Sequence, residues 1–155
     1  MGERRMFDIK KYRLGFDVGA LILFLMIMCP NFIWFAVPAP NDILRGDSAT
    51  MAIDGMAQIF QIIMVSSLCV IINDSCRKPM NRRMKLVIAS FWAFYLFGWF
   101  FYYAGLTNEI VILDLCAAPC MAFVVFACVR KNIVALVSAG VFMVCHLIYG
   151  VVNFI

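Results

Sequence analysis

Asp54, Gln58 and Gln61 interrupt a strongly apolar run at offsets of four and three. A helix would carry all three on one face. An ionisable group in such a run is costly to place in lipid, and it marks a functional site by default. The run emerges from a polar loop at residues 38–50, PAPNDILRGDSAT, whose Ser48 or Thr50 is expected to cap the helix. His146, Tyr149 and Asn153 repeat the spacing of three and four near the end of the chain. Asp114 lies seven residues past Thr107, beyond the reach of the favourable helix-end field that would explain an acid in a first turn. Asn31 adds a polar group beside Pro30.

Residues 91–103, FWAFYLFGWFFYY, hold ten aromatics in thirteen positions. An interfacial belt accounts only for the end from Trp99 to Tyr103. Tyr95 and Trp99 are therefore candidates for an aromatic wall, which would attract a flat or cationic molecule. The expected ligand-binding set is Asp54, Gln58, Gln61, Asp114, His146, Tyr149, Asn31, Tyr95 and Trp99. The expectation places both carboxylates and His146 on one cavity. No catalytic residue is assigned. His146, Asp54 and Asp114 lack a metal-ligand spacing, so no metal and no cofactor are expected. There is no phosphate-binding glycine loop, zinc-protease helix or nucleophile elbow, and no motif fixes a family.

The elements that must position these groups are membrane spans. Of 155 residues, 65% are hydrophobic and 14% charged, against about 45–50% and about 25% in a soluble domain. The mean hydropathy is +0.95. Apolar runs at 14–37, 51–72, 86–104, 110–129 and 133–155 give an all-α, polytopic bundle of five transmembrane helices in one domain. They are continuous rather than alternating, which excludes membrane strands. Proline at 30 is expected to free the carbonyl of Met26 and kink the first span, and Pro119 to break the fourth. Asp17 sits at the start of the first span, within reach of Lys or Arg. Thr107 is the expected cap of the fourth.

Of the 13 Lys and Arg, 12 fall at the N-terminus, in the 73–85 loop and at 130–131; only Arg45 falls on the other side. This asymmetry places the N-terminus in the cytoplasm and the C-terminus outside a cell membrane. It also accounts for the basic loops without a nucleic-acid partner; the lipid bilayer is the partner they face. With that orientation the polar residues gather in the outer half, His146 about 13 Å below the end of its helix. The seven cysteines lie mostly in apolar runs and read as packing residues rather than a disulfide framework.

Three functions remain open. The first is an outward-facing acidic, aromatic-lined cavity that binds or transports a small molecule, with a cation among the candidates. The second is a membrane enzyme acting on a lipid or isoprenoid, with His146 and an Asp as acid and base. The third is a structural or regulatory subunit of a membrane complex. Five spans leave little room for an internal pathway, so transport would call for a homo-oligomer or a partner membrane protein.

Overall fold

The computed structural model describes residues 11–76 and 79–155. The basic residues Arg4, Arg5, Lys10, Arg77 and Lys78 lie outside them. A short strand β1 (Tyr12–Leu14) precedes helices α1 (Val18–Ala36) and α2 (Met51–Val70). Strand β2 (Ile71–Asn73) follows, then α3 (Arg82–Tyr103), α4 (Glu109–Val129) and α5 (Ile133–Phe154). All five helices are long and apolar enough to cross a membrane. The chain is a multi-pass membrane protein.

Helices α3, α4, α5 and α2 form a row of close antiparallel neighbours in that order, and α1 lies across the row against α2, α3 and α4. α4 is the centre of the bundle: 61% of its apolar window is buried, against 22–33% in the others. Small buried residues, among them Cys116, Ala118, Cys120, Ala122 and Ala127, let its neighbours approach closely. All seven cysteines are free, and Cys69, Cys116, Cys120 and Cys145 are buried. Pro119 does not break α4, which runs unbroken past it. Pro30 lies within α1 as expected, and the Met26 carbonyl accepts a 3.1 Å hydrogen bond from Trp92 Nε1 of α3.

Several boundaries differ from the sequence reading. Leu14 is not helical: residues 12–14 pair antiparallel with 71–73, Tyr12 opposite Asn73 and Leu14 opposite Ile71. Strands are thus present, although none crosses the membrane. α1 begins four residues late because Asp17 is its cap, accepting from the backbone N–H of Gly19 and Ala20. Asp17 also pairs with Arg130 at 2.7 Å, the basic partner expected for it. α3 starts four residues early, because the Asn81 side chain caps it. Asn108, not Thr107, caps α4 by accepting from Val111 N–H. Thr50 occupies the cap position of α2 but makes no capping bond. Its hydroxyl is engaged by Asp54 and Asn153 instead.

The two ends of the bundle are each tied by polar contacts. At the end holding β1 and β2, Asn132 is 1% exposed. Its Nδ2 donates to the Ser67 and Ile71 carbonyls at 2.8 and 3.0 Å, and its Oδ1 accepts from Ala135 N–H. One side chain thus closes the last turn of α2 and the first of α5. At the other end Gly105, with φ of 86°, terminates α3. Its N–H bonds Tyr102 O and that of Leu106 bonds Phe101 O, a left-handed closure that favours glycine.

Candidate functional site

Between α1 and the helix row lies a cavity of about 260 Å³. Every helix contributes to its wall. α1 presents Ile27, Met28, Asn31, Trp34 and Phe35, one face at helical spacing. Of the nine residues expected from sequence, Asn31, Gln61, Tyr95, Trp99, His146 and Tyr149 line it. Asp54 and Gln58 line an adjoining groove of about 270 Å³ between α2 and α5. Gln61, Phe142, His146 and Tyr149 belong to both, so one wall of side chains separates and joins the two spaces.

That shared wall is built by α5. The rings of Phe142 and His146 stack with centroids 5.1 Å apart, and those of His146 and Tyr149 with centroids 6.0 Å apart. Offsets of four and three put the three rings in line down one face. Across the cavity, Trp99 packs against Trp34 at 6.2 Å and edge-on to Tyr95 at 6.2 Å. The chamber is a slot between two aromatic surfaces.

Its polar groups are neutral. Asn31 Nδ2 donates to Tyr95 Oη at 2.8 Å and to the Ile27 carbonyl at 3.1 Å. The indole N–H of Trp99 is buried in the wall beside Tyr95. No Asp, Glu, Lys or Arg lines this cavity.

The two acids part company. Asp54 borders the groove together with His146, and its carboxylate accepts from Ser48 Oγ and from Thr50 Oγ1 at 3.0 Å. Asn153 fastens the same corner: Nδ2 donates to Thr50 Oγ1 at 2.9 Å and Oδ1 accepts from Ala49 N–H at 2.7 Å. Asp114 lines neither space. Its carboxylate lies against Gly98 of α3, where a Cβ would collide with Oδ2. The absence of a side chain at 98 is what lets an acid fit between α3 and α4. His146 shares the groove with Asp54, but among the described residues no hydrogen bond joins an acid to its ring. No group of three or more His, Cys, Asp and Glu among the described residues could hold a metal.

Sequence reasoning missed Trp34 and Asp42. Trp34 follows Asn31 by three, so the same helical face could have shown it. Asp42 organises the loop over this end of the bundle. It accepts from Trp34 Nε1 at 2.8 and 3.0 Å and from Tyr102 Oη at 3.0 Å, and pairs with Arg45 Nε at 2.8 Å. Its side chain is 11% exposed. Burial works to raise its pKa, but the bonds from Trp34 and Tyr102, a backbone bond at Ala39 and the Arg45 charge together hold it below 3.8. Arg45 in turn lies 5.0 Å over the Trp34 ring. Arg45 is thus engaged in folding the loop.

Fold and site together define a five-helix membrane protein with an aromatic chamber joined to a groove that carries one carboxylate. Comparison with protein-family models, with curated proteins and with solved structures finds no match.

Proposed function

We propose that this protein binds a small amphiphilic molecule in the chamber between α1 and the helix row. In this reading the N-terminus is cytoplasmic and the chamber lies in the outer half of a cell membrane. The twelve-to-one asymmetry of Lys and Arg supports that orientation. The observation that carries the proposal is the convergence of neutral polar groups from α1, α2, α3 and α5 on one largely apolar space. Small-molecule sites have this make-up, a mostly apolar and aromatic lining with a few polar groups, and run from about 300 to 1,000 Å³. The chamber alone falls just under that range, and the adjoining groove extends it. Binding rather than acid–base catalysis is favoured because Asp54 is held by two hydroxyls and His146 is stacked between rings.

The test uses purified protein in detergent and 4-phenylbutanol as a probe. Saturable binding by calorimetry is expected, and Gln61→Trp, which fills the shared wall, should lose it while the protein elutes as before. Partition into the detergent alone, equal with both proteins, would overturn the proposal.

A further inference from the structure

The chamber and the groove differ in one respect that bears on what enters them. The chamber is aromatic and uncharged, whereas the groove holds a carboxylate. No Lys or Arg among the described residues forms an ion pair with Asp54. A carboxylate offers about four lone-pair sites. The two hydroxyls of Ser48 and Thr50 occupy two of them. Of the other Asp residues near this end, Asp47 is exposed in the loop and borders neither space, and the remaining two are already committed. Asp42 holds Trp34, Tyr102 and Arg45, and Asp114 is lodged against Gly98.

Gln58 and Gln61 descend from Asp54 toward the chamber. Gln58 is exposed in the groove, and Gln61 stands at the junction. Neither amide has a hydrogen-bond partner among the described residues. An amide at membrane depth is costly without a partner, and this pair therefore marks a track that a polar occupant would complete. From Asp54 to Gln61 the helix rises about 10 Å.

We infer that the ligand is an elongated amine, with its ammonium at Asp54, its linker along Gln58 and Gln61, and its apolar or aromatic end in the chamber. This rests on the chamber being a binding site, as proposed above, and adds the charge and register of the occupant. The ammonium gains a charge-assisted bond from the open side of the carboxylate. The far end gains the aromatic slot between the Phe142–His146–Tyr149 ladder and Trp99, where its burial is mainly hydrophobic. An anionic amphiphile would set its charge against Asp54, and a neutral one would leave the carboxylate unmatched.

A matched pair of probes separates the two claims. 6-Phenylhexylamine and 6-phenylhexanol have the same ring and linker, long enough to run from Asp54 past Gln61, and differ in charge. On the unsubstituted protein the amine should bind about 10- to 100-fold more tightly. Asp54→Asn should erase that preference, and Asp54→Glu should keep it. The ratio on the unsubstituted protein stands even where Asp54→Asn fails to fold. Equal affinities, or a preference that survives Asp54→Asn, would overturn the amine assignment while the chamber reading stands. Saturable binding of neither probe would overturn both.

Discussion

Trp92 Nε1 donates to the Met26 carbonyl at 3.1 Å, the acceptor that Pro30 deprives of its partner in α1. The proline therefore does not leave an orphan group in the membrane. It exchanges an intrahelical bond for one that ties α1 to α3. This matters because α1 packs less closely on the row than the row packs on itself. Polar ties at Trp92, Tyr95 and Arg130 fix the helix that closes the chamber.

Trp92→Phe should cost about 1–3 kcal/mol by stranding the carbonyl. In a Pro30→Ala background the Met26 carbonyl regains an N–H from residue 30, and the same substitution should cost less. Unfolding in mixed micelles of the four proteins gives the coupling; equal costs in both backgrounds would show that Trp92 acts by packing alone.

Asn132→Ala removes the closure of α2 and the cap of α5 together. A lost cap costs about 1 kcal/mol and stranded buried carbonyls about 1–3 kcal/mol. Asn132→Asp keeps the acceptor for Ala135 N–H but not the donor to Ser67 and Ile71, so it should recover only the cap. Stability at the level of the unsubstituted chain would contradict the staple.

Asp42 links stability to pH. Its folded value lies below its ordinary one of 3.8, so the stability it contributes is present in full above 3.8 and fades as pH falls through the lower folded value. The melting advantage of the unsubstituted protein over Asp42→Asn should therefore be constant near neutrality and shrink with acidification below about pH 4. Other carboxylates titrate in the same window in both proteins and cancel in the difference. An advantage that grows on acidification would reverse the sign assigned here.

The proposed orientation has its own test. Asp47 is exposed in the loop at the chamber end, and Asn81 is exposed at the opposite end. Above the background of the native cysteines, Asp47→Cys should react with an impermeant maleimide on intact cells and Asn81→Cys only after permeabilisation. Reversed labelling would move the chamber to the cytoplasmic half.

The five spans were legible because twenty-residue apolar runs have few alternative uses. Their ends were less so. Thr107 and Asn108 are both good caps and adjacent, and only backbone geometry selects between them. The β1–β2 ribbon has three residues a strand, too short to show an alternating pattern, and its paired residues are far apart in the chain, Tyr12 opposite Asn73 and Leu14 opposite Ile71. The site divided along the same line. Helical spacing revealed that Asn31, Gln61, His146 and Tyr149 were polar groups at chamber depth. Spacing gives depth along a helix but not the direction it faces among its neighbours. Asp114 therefore looked equivalent to Asp54, yet it faces Gly98 of α3. Asp42 sat in a loop, where acids are common and burial by a distant Tyr102 leaves no trace in sequence.

The most direct measurement of the central claim is photolabelling of the purified protein with a diazirine-bearing benzyl alcohol, mapped by peptide sequencing. The account requires adducts on chamber residues such as Met28, Tyr95 and Tyr149, reduced by excess 4-phenylbutanol and by Gln61→Trp. Adducts confined to the outward-facing Phe94, Phe97 and Phe100, with no competition by 4-phenylbutanol, would contradict it.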